Sequence, residues 1–323
     1  MTEAGEMDAV ATDARLTGRR AALAALVGGA MLTGLGRPAA AQVASSVDTV
    51  PLQFALNLHY LTTNFLQVVT YGEGRQLPAQ HIRGGELSDK PGVSATSVLP
   101  VKFPTGVRGI QARIREIADE HWYRTLMLRA VLRADAPAQT EIDYSAQTFA
   151  RLFVAAGAMA STDTLYLYTA SPSDPLELVR NILLAAETLV SVQASVFAAL
   201  LPSMTNEVTL PMMASLAASA ASNATTIRSM LYEMAQAKPD LLTKVDRLAA
   251  WRDRIDGTAT TDAGLSPVNG SGRTAVTDAD GLYIGRTPQQ ALNVLFMSAD
   301  AVTQGGFFPT GINGAIVRSG KAN

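Results

Sequence analysis

The chain has 323 residues, a formal net charge of −2 and no cysteine. This length allows a large core and one or two domains. The near-neutral charge gives no basis for binding nucleic acid or an anionic membrane surface, and the lack of cysteine excludes disulfides, thiolate metal sites and a cysteine nucleophile. Because 48% of the residues are hydrophobic and only 17% are charged, we expect helices with wide buried faces.

The first 41 residues have the pattern of an export signal and are excluded from the fold. An arginine pair at residues 19–20 precedes a run rich in alanine, leucine and glycine over residues 21–35, and three alanines at 39–41 form a small-residue cleavage site. The pair and the weakly hydrophobic run resemble a twin-arginine signal. A retained membrane anchor is the alternative, but the run is short and interrupted by glycines. We expect cleavage near Gln42, a periplasmic bacterial protein, and no membrane span in the mature chain.

Four long stretches carry apolar residues at three- and four-residue intervals, which predicts amphipathic helices. They span residues 48–70, 107–133, 175–201 and 209–237. Asp48 and Asp174 stand where N-caps of the first and third helices are expected, each followed by a proline suited to a first turn. Further helices are predicted at 144–160, 241–255 and 288–301. Thr287 is placed to cap the last of them.

The connections between these helices differ in composition. Residues 71–104 are rich in glycine, proline, serine and lysine, so we expect a loop with His81 on its surface. Residues 134–174 are long enough to cross from one end of a bundle to the other. Residues 256–282 form a polar loop, and its Thr-Asp-Ala-Asp-Gly sequence predicts a turn, because it lacks the spacing and the terminal glutamate of a calcium loop.

Three polar side chains fall on otherwise apolar helix faces. His59 lies in the inward stripe of the first helix, His121 on the apolar side of the second, and Glu187 among the leucines, valines and alanines of the third. A carboxylate in such surroundings needs a partner. These residues are therefore either satisfied core groups or parts of a site.

Several of these helices resemble one known family. LQFALNLHYLTTNF in the first helix, IADEHWYRTLMLRAVL in the second and NATTIRSMLY in the fourth resemble the ferritin-like domain family that includes desiccation-related proteins of plants and bacteria. The resemblance runs over about residues 46–314. It implies an all-α fold, a ferritin-like four-helix bundle with a long crossover and extra C-terminal helices. Residues 42–323 would then be a single domain, with a C-terminal extension over residues 256–323.

The resemblance also implies a set of metal-ligand positions. Ferritin-like di-metal sites take one glutamate from each of two helices and a Glu-x-x-His pair from each of the other two. The matching positions here are His59, Glu120, Tyr123, Glu187, Ala220 and Asn223. Only Glu120 and Glu187 are carboxylates, whereas two irons need about four. The resemblance therefore implies a degenerate site.

If His59, Glu120 and Glu187 converge, with Tyr123 nearby, the two facing carboxylates need a cation. Three arrangements are open. In the first, the three side chains hold one divalent ion of iron, manganese or zinc. In the second, a protonated His59 lies between the two glutamates, and in the third, an arginine neutralises them. The arginine candidates are Arg124 and Arg228. The lost ligands favour the second and third arrangements, so we expect no cofactor and a polar cluster with a structural role.

The sequence carries no other catalytic pattern, such as a serine nucleophile elbow, a phosphate loop or a dinucleotide fingerprint. We therefore expect an exported, non-catalytic bundle protein with a binding, stress-protective or structural role. One alternative is a mononuclear metal protein or oxidoreductase that uses His59, Glu120 and Glu187. Another is a structural subunit of a periplasmic or cell-surface assembly, with a second copy or another protein bound through the GGFFPTG tail. Phe307 and Phe308 of this tail are expected to pack into a groove on the bundle.

Overall fold

The computed structural model describes residues 46–72, 75–85, 91–93, 101–257 and 262–322. The predicted export signal over residues 1–41 lies outside them. Within the described residues the chain forms eight α-helices and no β-strand. They are α1 (Ser46–Tyr71), α2 (Ala79–Ile82), α3 (Arg108–Leu132), α4 (Ala146–Ala155), α5 (Pro175–Leu200), α6 (Thr209–Ala235), α7 (Asp240–Asp256) and α8 (Pro288–Phe296). The predicted all-α fold is confirmed.

The four long helices form the bundle as two hairpins. Helix α1 packs along α3 and helix α5 packs along α6, while smaller contacts join α1 to α5 and α3 to α6. The connection from α3 to α5 contains α4 and links the two hairpins. Helix α7 packs against α6, and α8 packs against α7 and α5. The predicted four-helix bundle with additional C-terminal helices is therefore present.

Helix α5 is the central helix of the core. Every residue from 178 to 197 is buried, so the helix is enclosed on all sides. Length and apolar composition alone would let the segment Pro175–Ser203 cross a membrane, which its apolar spacing as a bundle helix did not indicate. However, 89% of its apolar window is buried inside the fold, as in the core helix of a soluble protein.

Two of the three predicted helix caps are confirmed. The Asp174 side chain accepts a hydrogen bond from the Leu176 N–H at the start of α5. Thr287 forms a capping box with Gln290 at the start of α8, in which each side chain binds the other residue's backbone N–H. Helix α8 ends five residues before the predicted boundary, because Met297 adopts the left-handed conformation with φ 55° and ψ 42°.

The third predicted cap, Asp48, has a different role. Helix α1 begins two residues earlier, at Ser46. The Asp48 carboxylate accepts hydrogen bonds from the backbone N–H groups of Thr205, at 3.0 Å, and Asn206, at 2.8 Å. It also accepts from the hydroxyl of Thr209, the first residue of α6. Asp48 therefore ties α1 to the turn between α5 and α6, which sequence spacing does not show.

The connection after α1 is less exposed than predicted. It contains the short helix α2, and His81 of this helix is half-buried. The imidazole packs edge-on against the indole of Trp122, with the ring centroids 6.2 Å apart. The prediction of a surface position for His81 is therefore wrong, because the connection folds back onto α3.

The aromatic pair of the C-terminal tail is buried in the bundle. The Phe307 ring lies 4.9 Å from that of Phe149 on α4, and the Phe308 ring lies 6.3 Å from that of Phe296 at the end of α8. The exposed fractions of the two residues are 0% and 1%. The predicted groove packing is thus confirmed, whereas a partner or a second copy bound through this tail stays a prediction.

Candidate functional site

A network of charged side chains lies buried where α5, α6 and α7 meet the C-terminal segment. Its cations are three arginines, each with an exposed fraction of 0%: Arg228, Arg252 and Arg286. Its buried carboxylates are Glu187, Asp256 and Asp262. Three positive and three negative charges balance, as burial in a low dielectric requires. A fourth carboxylate, Asp253, lies at the edge of the network, 3.5 Å from the Arg286 guanidinium.

Both carboxylate oxygens of Glu187 accept hydrogen bonds from arginine. Arg252 binds in a bidentate manner, with Nη1 2.9 Å from Oε2 and Nη2 3.1 Å from Oε1. Arg228 Nη1 donates to Oε1 at 2.9 Å, and the Ser191 hydroxyl donates to the same oxygen at 3.2 Å. Burial alone would raise the pKa of Glu187, but the charges of Arg252 and Arg228 outweigh burial and hold the pKa below its ordinary value. The side chain is therefore an ionised carboxylate with a guanidinium on each oxygen.

The network also fixes the C-terminal segment on the bundle. Arg228 donates further hydrogen bonds to four backbone carbonyls of this segment, at distances of 2.7 to 2.9 Å. Those carbonyls belong to Ala263, Gly264, Arg273 and Thr274. Asp262 bridges Arg252 and Arg286, and Arg286 Nε donates to Asp256 at 2.7 Å. One connected set of ion pairs thus joins three helices and the loop that follows them.

The Asp262 carboxyl makes this network sensitive to acid. Burial by itself would raise its pKa, but the charges of Arg252 and Arg286 lower the pKa from 3.8 to about 2. Because the pKa of Asp262 is lower in the folded state, its ionised carboxylate stabilises the fold above pH 3.8, and this contribution is lost as the pH falls toward 2. We expect the free energy of unfolding to fall across this window, and to fall less steeply in Asp262→Asn. Urea unfolding at several pH values measures both slopes, and equal slopes would contradict the assignment.

Glu120 on α3 belongs to a separate group nearer the surface. Its carboxylate forms an ion pair with Arg124 Nη2 at 2.6 Å and accepts from Asn223 Nδ2 on α6 at 3.1 Å. The Glu120 side chain is 40% exposed. Two of the positions matched by the resemblance therefore do meet, but an amide stands where the family has an imidazole.

His59 lies in a third group, between α1, α3 and α5. Its ring stacks on Phe197, with centroids 5.7 Å apart, and lies 5.3 Å from the ring of His121. Within the described part of the chain, neither ring nitrogen of His59 has a hydrogen-bond partner, although the residue is fully buried. Burial, together with His121 and the charge of Arg124, holds the pKa of His59 well below its ordinary value. A protonated His59 between two glutamates is therefore not what the fold contains.

The neighbouring His121 is a satisfied core group. Its Nδ1 lies 2.9 Å from the Ile117 carbonyl, and its Nε2 lies 2.9 Å from Oε1 of Gln193. Burial and the Arg124 charge lower the pKa of His121 to about 4, so the ring is neutral at pH 7. Because a carbonyl only accepts, the proton sits on Nδ1, and Nε2 is an acceptor. The Gln193 amide is therefore assigned in the reversed orientation, which gives its buried Nε2, without a partner in the described chain as placed, the ring nitrogen to donate to. The sequence places His121 inward but gives no sign of this pairing.

The three predicted site residues are thus divided among three groups of contacts. His59 stacks on Phe197 of α5. Glu187 lies ten residues before Phe197 on the same helix, which separates the two residues by about 15 Å along the helix axis. Tyr123 is half-buried. Across the described ranges, no group of three or more histidine, aspartate or glutamate side chains is arranged to hold a metal ion. The residues at the matched positions therefore do not fit a di-metal centre.

The arginines named as candidates in the sequence analysis do contact the two glutamates. Both candidates form the expected ion pairs, Arg124 with Glu120 and Arg228 with Glu187. Two further arginines of the network, Arg252 on α7 and Arg286 in the C-terminal segment, were not predicted from the sequence. The burial of Arg252 could have been predicted from its spacing. It follows Leu248 by four residues and Ala249 by three, so it lies on the same inward face of α7.

Comparison with protein families gives one match for this chain. The model of the ferritin-like domain matches residues 47–233, which reach from the start of α1 almost to the end of α6. Comparisons with curated proteins and with solved structures gave no significant match. The matched region covers more than half of the chain and contains all four bundle helices, whereas Arg252 and Arg286 lie beyond it. The chain belongs to the ferritin-like domain family.

Proposed function

We propose that this protein is an exported, non-catalytic member of the ferritin-like family in which buried arginines supply the cationic charge at the degenerate site. Its role is then binding, protective or structural, of the kind implied by its resemblance to desiccation-related proteins. The observation that carries this proposal is the Glu187 carboxylate, whose two oxygens accept from Arg228 and Arg252.

A metal ion and a guanidinium would compete for the same oxygens of Glu187. A divalent metal needs carboxylate lone pairs, and both oxygens of Glu187 already accept guanidinium hydrogen bonds, with a hydroxyl bond to Oε1 as well. A guanidinium keeps its charge at any physiological pH. A metal at Glu187 would also leave buried arginine charge without its counter-ion, at a cost of several kcal/mol. The arginine-filled arrangement is therefore stable without a metal.

The alternative function, a mononuclear metal protein, has one observation in its favour. His59 is buried with two nitrogens that have no partner in the described chain, and a neutral imidazole is a common metal ligand. However, the two glutamates proposed as its co-ligands are engaged by Arg124, Arg228 and Arg252. A buried water on His59 would satisfy the same nitrogens without metal.

Protein purified from its native host tests the proposal. Mass spectrometry should give an N-terminus at or near Gln42, and elemental analysis should find iron, manganese and zinc far below one ion per chain. Glu187→Gln should alter stability and leave this metal content unchanged. A matched control is Glu116→Gln, because this glutamate is exposed on α3.

Two results would contradict the proposal. An intact N-terminus would refute cleavage of the export signal. Stoichiometric metal in the wild type that disappears in Glu187→Gln, but persists in Glu116→Gln, would favour the mononuclear-metal function. If metal is present, His59→Phe then shows whether the unpartnered imidazole is one of its ligands.

A further inference from the structure

A pocket with two arginines opens between α3 and the turn that follows α2, on elements other than those that carry the buried network. It has a volume of about 300 Å³. Its lining consists of Gln80, Arg83, Gly85, Arg129 and Ala130. Among the residues that the structure describes, the lining contains two cations, one amide and no acidic side chain. A volume at the low end of the range for ligand pockets suits a small molecule rather than a macromolecule.

Arg129 is half-buried, yet its hydrogen-bond acceptors are neutral. Its guanidinium donates to the Tyr60 hydroxyl and to the Gly85 carbonyl. Tyr60 in turn donates its proton to the Pro137 carbonyl at 2.9 Å. Burial raises the pKa of Tyr60 to about 12, against the opposing charge of Arg129, so this hydroxyl stays protonated and uncharged at pH 7. The contacts therefore hold Arg129 in place without neutralising it.

No counter-ion for this charge is found in the described part of the chain. The ion pairs there include neither Arg129 nor Arg83, whereas other arginines of α3 do pair, such as Arg113 with Glu116 and Arg124 with Glu120. The charge also acts on the half-buried His81, whose pKa is lowered by burial and by Arg129. The described contacts of Arg129 therefore leave its charge available to an anion from solution.

The walls of the pocket are held by backbone hydrogen bonds. The Gly85 N–H donates to the Ala136 carbonyl, and the Gln139 N–H donates to the Ile82 carbonyl, both at 2.8 Å. These bonds fasten the turn after α2 to the connection that follows α3. The backbone of this turn is therefore fixed before a ligand binds, which lowers the entropic cost of binding.

We propose that this pocket binds a small oxyanion, the phosphate or carboxylate group of a small molecule, through Arg129 and Arg83. A guanidinium has five N–H donors, and the two contacts of Arg129 leave three of them available. Its planar edge matches the paired oxygens of either group. Arg83 is exposed at the pocket and adds a second charge, and the Gln80 amide adds further donors.

Isothermal titration calorimetry with inorganic phosphate and with acetate, at constant ionic strength, tests this site. Wild-type protein should bind at least one of these anions saturably at one site per chain, and the preferred anion identifies the group. Arg129→Gln should weaken binding by roughly tenfold or more, and Arg83→Gln by less. Arg113→Gln is the matched control, because Arg113 is an exposed arginine of the same helix that already pairs with Glu116. It should bind like wild type.

Two outcomes would overturn the assignment. One is the absence of saturable binding of either anion to the wild type. The other is equal weakening in Arg113→Gln and Arg83→Gln, which would indicate a general effect of surface charge. Circular dichroism checks the fold of each variant, and the exposed Arg83 provides the test if Arg129→Gln does not fold.

Discussion

Replacing Arg228 by methionine is expected to lower the free energy of unfolding by about 3–5 kcal/mol, the range found when one partner of a buried ion pair is removed. The change takes one guanidinium from Glu187 and leaves four backbone carbonyls without this donor. Methionine fills much of the same space, so the loss reports charge and hydrogen bonds more than volume. Urea unfolding followed by circular dichroism measures the change.

The control for this variant is Arg113→Met on α3. Arg113 also forms an ion pair, but its side chain is 61% exposed, so the change should be within about 0.5 kcal/mol. A loss in Arg228→Met as small as in the control would mean that the network does not stabilise the fold. The comparison separates buried from exposed ion pairs between the same residue types.

Replacing Phe307 by alanine is expected to lower the free energy of unfolding by about 3–5 kcal/mol, the usual cost of removing a large buried aromatic side chain. Phe307 is fully buried against Phe149, and its backbone joins two parts of the chain. Its N–H donates to the Leu295 carbonyl, and its carbonyl accepts from the Asp143 N–H, both at 2.9 Å. The cavity would therefore form where the tail, α8 and the crossover connection meet. Equilibrium unfolding in urea again gives the value.

Leu282→Ala is the matched control for the tail variant. Leu282 is a large apolar residue of the C-terminal segment, but it is 66% exposed. Its truncation should change stability by no more than about 0.5 kcal/mol. A small effect for Phe307→Ala, together with a change in oligomeric state by light scattering, would instead support a partner role for the tail.

Much of the fold could be predicted because the bundle helices carry their own local signals. Apolar spacing located every end of the four long helices to within two residues. The caps at Asp174 and Thr287 depend on residues only two or three positions away. Asp48 shows the limit of this reasoning. Its partners lie 157 to 161 residues further along the chain, and no local pattern records that pairing.

The candidate site could be predicted only in part. The inward position of Glu187 and its need for a cation follow from its apolar neighbours, and this reasoning led to Arg228. The second cation, Arg252, lies on a helix rich in charged residues, where a buried arginine looks like an exposed one until its spacing from Leu248 is considered. Matching His59, Glu120 and Glu187 to one family site also overstated their proximity, because each side chain is fixed by contacts that the matched positions do not specify.

Crystals of the protein soaked in iron, manganese or zinc, with anomalous diffraction collected at each metal edge, test the central claim most directly. The arginine network predicts electron density for the Arg228 and Arg252 guanidinium groups against both Glu187 oxygens, and no anomalous peak beside that carboxylate. An anomalous peak coordinated by Glu187, with either guanidinium displaced, would contradict it.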